Sequence, residues 1–394
     1  MKIAVLTSGF LPVPAVQGGA VENLIDMYLA YNDHYKRHDI TVYSASHKAV
    51  KHHPALHSDV NHYIYIDVSS ITARFRKKLH RAICGVEYYH YSIEYYLEQA
   101  KKHIQERDYD LIVIENRPGY VIKLARDTPA RIVCHLHNDV LNASTPRGAD
   151  ILNDLTRVVC VSDYLCSRVA TVGLPDKCVT VHNGIDLHHF SPDAPTKLTR
   201  QSFLLHPDDF VLVFTGRVIP EKGIAELINA MKRLHNHPEV KLLVVGSSFY
   251  ANVHQSNDFI KGLRKHARAL SDRIFFTGYI PYDQMPSVLA LADAAVLPSV
   301  WDEPLGLTCI EAMAMGLPVI TTRKGGIPES VTSDCGILLP VDDSLSERLA
   351  EAIITLRNDP EACRRMGAAG HERAHLFSRE NFCQHFFEAI ENRL

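Results

Sequence analysis

Short, β-branched apolar runs recur along the chain, each followed by a stretch whose apolar residues repeat at helical spacing. KIAVLTS (2–8), DITVYSA (39–45), DLIVIEN (110–116), RIVCHLH (131–137), RVVCVS (157–162) and VTVHNG (179–184) form a first series. FVLVFTG (210–216), VKLLVVG (240–246), IFFTGY (274–279), AAVLPS (294–299), PVITT (318–322) and GILLP (336–340) form a second. Runs that are apolar at nearly every position are strands buried on both faces, the state of a parallel sheet covered by helices. Two such series predict two doubly wound, Rossmann-like α/β domains. The seam falls near 186–209, a loop-like stretch holding Pro192, Pro195 and Pro207. The expected organisation is 1–190, 191–375, and a last segment 376–394 that lies beyond the final strand. In that segment Phe382, Phe386, Phe387, Ile390 and Leu394 share one helical face, which suits packing on either domain.

Composition changes this picture little. A chain of 394 residues is too long for one ordinary core. At 46% hydrophobic and 22% charged, with a formal net charge of −3, it lacks the bulk basic surface that nucleic-acid binding needs. Nine cysteines are scattered with no CxxC pair, so they read as buried free thiols of a reducing compartment rather than a disulfide or zinc framework. The opening MKIAVLTSGF runs straight into a strand, and no run approaches about 18 apolar residues. A cytoplasmic location is expected.

In doubly wound folds ligands bind past the carboxyl ends of the strands, so candidate chemistry is sought there. After the first strand, Gly18 and Gly19 open a helix and let backbone amides approach an anion, although a plain turn reads the same way. After FVLVFTG, Arg217 and Lys222 flank a proline turn, where a planar fork and a point charge suit a diphosphate. After AAVLPS, Gly306 permits a tight backbone and a helix opens near Leu307 with its amides directed outward, Gly316 fitting its C-cap. Glu303 precedes that turn, and Glu311 lies about one helical turn in, amid apolar residues. A carboxylate placed so deep needs a partner. His135 and His137 share a face of their strand, and His137 stands nearer its end. Asp108-Tyr109-Asp110 has the look of a metal-binding pair, but it sits at the amino end of its strand.

GRVIPEKG (216–223), EPLGLTCIEAMAMGLPVI (303–320), GGIPE (325–329) and HNGID (182–186) together resemble the retaining glycosyltransferases of family 4, enzymes of the GT-B fold. Glu303 and Glu311 match that family's E-x7-E signature. The resemblance implies two Rossmann-like domains facing across a cleft, with the last helix crossing back onto the N-terminal domain. It implies that Arg217 and Lys222 hold the donor diphosphate, that Leu307 and Thr308 give it backbone amides, and that Gly19 approaches it. Glu311 would bind ribose hydroxyls, and Glu303 and His137 the transferred sugar. Gly246, Tyr279 and Ile280 would border the nucleotide. Leu305 stands where the family often has Phe, and the acidic residue often found near Gly246 is missing.

The function this resemblance implies is transfer of a hexose-type sugar from a nucleotide diphosphate donor, UDP-linked first and GDP-mannose second. The acceptor would be a hydroxyl of a glycan or a lipid-linked glycan. With the diphosphate met by Arg217, Lys222 and helix amides, no metal or other cofactor is expected. A double displacement needs a carboxylate nucleophile, for which only Asp139 near His137 offers itself, so front-face transfer is preferred. ITARFRKKLHRAIC (71–84) reads as a basic amphipathic helix suited either to an anionic membrane surface or to packing on the core. The tyrosines of GVEYYHYSIEYYLEQAKKHI suit core and interface packing. ENRPGYV (115–121) and HLHNDVL (135–141) resemble members that glycosylate bacterial surface polysaccharide and coats. The alternatives are a nucleotide-sugar 2-epimerase of the same fold and a non-enzymatic two-domain sugar-binding protein.

Overall fold

The computed structural model describes residues 1–84, 91–194, 196, 198–247 and 258–392. The chain forms two compact units, Met1–His182 together with Phe382–Leu394, and Asn183–Asn381.

In the first unit, strands β1 (Lys2–Leu6), β2 (Asp39–Ala45), β3 (Asn61–Ile66), β4 (Leu111–Glu115), β5 (Arg131–Leu136), β6 (Arg157–Cys160) and β7 (Cys178–Thr180) form one sheet in the order β3-β2-β1-β4-β5-β6-β7. Every pairing is parallel. Order reverses at β1, which carries β2 on one side and β4 on the other, so the switch point lies between β1 and β4. The central strands are apolar on both faces because helices cover both. Ile3, Val5, Val42, Val113 and Val133 are buried, and the helix Ala20–Tyr35 packs Leu24, Ile25, Tyr28 and Leu29 onto them.

The far end of the chain completes this core. In the helix Arg379–Glu391, Phe382, Phe386, Phe387 and Ile390 are buried against the same cluster. The rings of Tyr28 and Phe386 stack at 4.5 Å. At its tip Glu391 accepts two hydrogen bonds of 2.6 Å from Arg37 and pairs with His38 Nε2 at 2.7 Å. Leu394, expected on this face from its spacing, lies outside the described residues.

The second unit holds β8 (Phe210–Thr215), β9 (Val240–Val245), β10 (Ile274–Gly278), β11 (Ala294–Leu297), β12 (Val319–Thr322) and β13 (Gly336–Leu339), all parallel, in the order β10-β9-β8-β11-β12-β13. Its switch point lies between β8 and β11.

One strand escapes the apolar pattern. β3 is an edge strand, and the four central residues of its NHYIYI are exposed or half-exposed, unlike the apolar interior strands. The helix Ile71–Cys84 forms as expected, but its stripe does not pack on the core: Ala73 is buried while Ile71, Phe75 and Leu79 are 86%, 68% and 51% exposed. Tyr96 of the tyrosine-rich stretch is a core residue whose hydroxyl donates to Tyr43 O. Tyr88 and Tyr89, with the side chains of Tyr91 and Arg81, lie outside the described residues. The eight described cysteines are free thiols, five of them buried.

Candidate active site

Beside the switch point of the second unit, the loops that follow β8 and β9 meet backbone to backbone. Gly216 and Gly246 follow β8 and β9 at φ 130° and 140°, and a Cβ on Gly246 would stand 1.9 Å from Gly216 O. Arg217 is exposed, and its guanidinium has no hydrogen bond or ion pair among the described residues. The short 3-10 turn Pro220–Lys222 ends at Gly223, whose φ is 69° and whose Cβ would lie 1.8 Å from Pro298 O. Only glycine lets this turn press on the end of β11.

That pressure sets Lys222 against Glu303. Lys222 Nζ donates to Glu303 Oε1 at 2.5 Å, and Ser299 Oγ donates to the same oxygen. The Glu303 side chain is 9% exposed and that of Lys222 is 20% exposed, so both are largely removed from water. The Glu303 carbonyl accepts from Gly326 N at 2.7 Å, and a Cβ on Gly325 would come within 2.1 Å of it. One of the three ammonium protons of Lys222 is thus committed, leaving two for another partner.

Gly306, at φ 86°, starts the helix Leu307–Ala314. The amides of Leu307 and Thr308 meet no acceptor among the described residues, as the first turn of a helix dictates. Glu311 is buried on this helix. Its neighbours Ile310, Ala312, Met313 and Ala314 are buried with it. Tyr282 OH donates to Glu311 Oε1 at 2.9 Å. Burial raises the Glu311 carboxyl to about 7, against the lowering effect of that hydrogen bond. Tyr282 is held by the rings of Phe190 and His189 at 5.4 and 5.8 Å. Tyr279 and Ile280 follow the end of β10, the former exposed and the latter half-buried.

The first unit carries a second cluster at its own switch point. Glu115 ends β4, and the register pairs it with His135 on β5. Its Oε1 accepts from Tyr28 OH at 2.9 Å, while Oε2 lies 3.1 Å from His135 Nδ1 and 2.8 Å from His137 Nε2. All four side chains are buried. Burial alone would raise Glu115, but attraction to His135 and hydrogen bonds from both imidazoles outweigh it and pull the carboxyl down to about 2. Burial lowers His137 to about 4, so it is neutral at pH 7. Gly19, at φ 109°, has Glu22 beside it: a Cβ there would stand 2.2 Å from Glu22 Oε2. Burial raises the Glu22 carboxyl to about 7.

Other candidates are placed elsewhere. Asp110 accepts from Lys2 N at 2.7 Å at the amino end of β4. Asp139 is ion-paired to Arg168 at 2.7 Å and accepts from Asn142 at 2.8 Å. Three members of the clusters, Ser299, Tyr282 and Glu115, are not legible as such in the sequence. Ser299 and Glu115 do follow the strand-end rule, whereas Tyr282 reaches Glu311 from a separate loop and leaves no local signal.

Two parallel, doubly wound units of this kind are the architecture of the GT-B class. Two family descriptions match the chain, Glycosyltransferase Family 4 over residues 34–189 and Glycosyl transferases group 1 over residues 196–373. The YtcC protein of Bacillus subtilis, named as a putative glycosyltransferase, is 30% identical over 379 residues, covering 93% of this chain and 86% of its own. A GDP-mannose-dependent monoacylated alpha-(1-6)-phosphatidylinositol monomannoside mannosyltransferase of Corynebacterium glutamicum is 34% identical over 203 residues, 49% of this chain and 50% of that one. The crystal structure of Anabaena HepE in complex with UDP superposes with a TM-score of 0.75 at 22% identity, covering 99% of this chain and 100% of that one. The chain belongs to the family 4 glycosyltransferases and is a glycosyltransferase.

Proposed function

We propose that the chain moves a hexose from a nucleotide diphosphate sugar, UDP-linked by preference and GDP-mannose second, to a hydroxyl of a glycan or lipid-linked acceptor, with retention and without metal. The observation that carries this reading is the Lys222–Glu303–Ser299 cluster beside Arg217 at the ends of β8 and β11. Arg217, the two remaining protons of Lys222 and the amides of Leu307 and Thr308 receive the diphosphate. Glu303, fixed by Lys222 and Ser299, presents its second oxygen to hydroxyls of the transferred sugar. Glu311 exchanges solvent-poor isolation for ribose hydroxyls, with Tyr282 as its built-in companion, and Gly246, Tyr279 and Ile280 border the base and ribose. His137 is assigned to the sugar and Gly19 to the diphosphate. The UDP-bound HepE structure supports the first donor, and the GDP-mannose-dependent relative keeps the second in play.

Asp139 is held by Arg168 and Asn142, which argues against a role as covalent nucleophile and for front-face transfer. In that route the leaving diphosphate stays clamped, takes the acceptor hydroxyl proton, and the sugar is attacked on the face it leaves. A pocket of about 310 Å³ lined by Asn116, Arg117, Asp139, Asn142 and Ser144 is the acceptor-side candidate. The exposed Ile71, Phe75 and Leu79, with Arg74, Arg76 and Lys78 on the same helix, support contact with an anionic bilayer surface. No described helix is long and apolar enough to cross a membrane.

Calorimetric titration with UDP, GDP and dTDP in excess EDTA tests the donor site. One diphosphate is expected to bind clearly best without metal; binding of none, or binding only after a divalent ion is restored, would overturn the reading. Sedimentation with anionic and neutral vesicles tests the surface, and binding indifferent to lipid charge would remove it.

A further inference from the structure

Glu115, His135 and His137 bring three donor atoms within 4.8 Å of one another, the one such group among the described residues able to surround an ion. Two features of the cluster argue against a metal. Metal-bound imidazoles almost always give their second nitrogen a partner, which fixes the ring. Here His135 Nε2 and His137 Nδ1 are buried with no hydrogen bond. The contacts of 2.8 and 3.1 Å between ligand atoms are themselves hydrogen-bond lengths, and Tyr28 already occupies the other carboxylate oxygen.

The hydrogen bonds then dictate where protons sit. An ionised Glu115 only accepts, so the nitrogens facing it must both carry hydrogen: Nδ1 of His135 and Nε2 of His137. A neutral imidazole has one N–H, so His137 Nδ1 is a bare lone pair. The strand end that carries the ring is held in place: His137 N donates to Asn116 Oδ1 at 3.1 Å, and Asn116 N donates to His135 O at 2.8 Å. Asn116 itself sits at φ 57°, a left-handed conformation that turns its side chain back on the strand end. The His135 ring, 4.1 Å from that of His137 and 5.0 Å from Phe386, packs behind.

We propose that Glu115 is a positioning residue that locks His137 in its Nε2–H tautomer, so that Nδ1 acts as the hydrogen-bond acceptor for a hydroxyl of the donor sugar. The role of Nδ1 toward the sugar rests on the donor-site reading above; the tautomer lock does not. Acceptance is the chemically apt role, since sugar hydroxyls donate readily and a neutral acceptor places no cation beside a sugar that gains positive charge in transfer.

Nitrogen-15 spectra of the histidine-labelled, substrate-free enzyme at neutral pH, with His135→Gln and His137→Gln for assignment, read the tautomers directly. The expected pattern is a proton on Nε2 of His137 and on Nδ1 of His135; a proton on Nδ1 of His137, or one equivalent of zinc surviving EDTA, overturns the lock. Kinetics test the acceptor atom, because asparagine places its amide oxygen near the Nδ1 position and glutamine places its own near Nε2. His137→Asn is expected to retain roughly 10-fold more kcat than His137→Gln, about the value of one hydrogen bond. Glu115→Gln, which swaps one acceptor oxygen for a donor, is expected to lower kcat about 10- to 100-fold while nucleotide diphosphate affinity stays unchanged. Equal loss in the Asn and Gln variants of His137, or full activity in Glu115→Gln, overturns the assignment. Nucleotide binding that fails in the wild-type enzyme would instead indict the donor site, leaving the spectra to judge the lock.

Discussion

Glu311 is the side chain on which pH acts most directly in the second unit. Its carboxyl is raised by burial from 4.5 to about 7, so between those values the folded chain holds a proton that the unfolded chain has lost. Stability therefore falls as pH rises across that window, the sign set by the extra proton on the native side. In the proposed site ribose hydroxyls would donate to the ionised form, so binding nucleotide would expel the proton. Affinity is expected to strengthen as pH passes upward through 7 and to weaken up to about 10-fold per unit below it. Titrations at acidic and alkaline pH, in buffers of different ionisation enthalpy, count the released proton, and Glu311→Gln should flatten the profile. A wild-type profile that is already flat would mean that no hydroxyl reaches the carboxylate. Arg217 makes the complementary case: exposed and unpaired among the described residues, it contributes little to folding. Arg217→Ala should leave the melting temperature alone yet cut kcat about 100- to 1,000-fold, because the charge it meets grows as the diphosphate departs.

At the level of elements, the loops that carry the site are held by close backbone approaches. Gly223→Ala would require a Cβ 1.8 Å from Pro298 O at a φ of 69°. The left-handed backbone alone costs about 1–2 kcal/mol, and relieving the clash moves the turn that bears Lys222. A melting temperature lower by roughly 2–8 °C is expected, with nucleotide affinity reduced as well. The opposite holds for the helix Ile71–Cys84, whose apolar stripe faces outward: Phe75→Glu with Leu79→Glu should abolish binding to anionic vesicles while the melting curve stays put. The same contrast explains what could be read from the chain. Interior strands announce themselves because both faces are buried, so every position is apolar, and Arg217, Lys222, Glu303 and Glu311 follow from counting past strand ends. β3 stays hidden because an edge strand need not be apolar throughout. Glu115 follows the strand-end rule, but its role stays hidden, because its partners are set by the register of β4 on β5, a pairing of residues 20 and 22 positions apart that no local pattern records.

Over the whole molecule, the feature with the largest energetic reach is the return of the last helix to the first unit. Phe382, Phe386, Phe387 and Ile390 are buried among residues of β1, β2, β4 and the helix Ala20–Tyr35, and Phe386 also stacks on Tyr28, the hydroxyl that serves Glu115. Removing one such ring leaves a cavity costing about 3–5 kcal/mol, a large share of the roughly 5–15 kcal/mol that holds a domain folded. Phe386→Ala should therefore lower stability by that amount and loosen Tyr28 and His135, so the first unit should lose hydrogen-exchange protection along β4 and β5. Deleting residues 382–394 removes six buried apolar residues, Phe382, Cys383, Phe386, Phe387, Ala389 and Ile390, and the Glu391 contacts to Arg37 and His38 together, a loss on the scale of the whole stability of an ordinary domain. The second unit owns a separate core built around Leu212, Val244, Val296 and Ile353, with none of the deleted residues in it. The truncated chain is expected to show a protease-sensitive first unit and a resistant fragment near 183–381 that still binds nucleotide diphosphate but no longer transfers sugar. If both halves unfold together, as a single transition with no nucleotide binding left, then folding of the two cores is coupled and the donor site is not an independent property of the second unit.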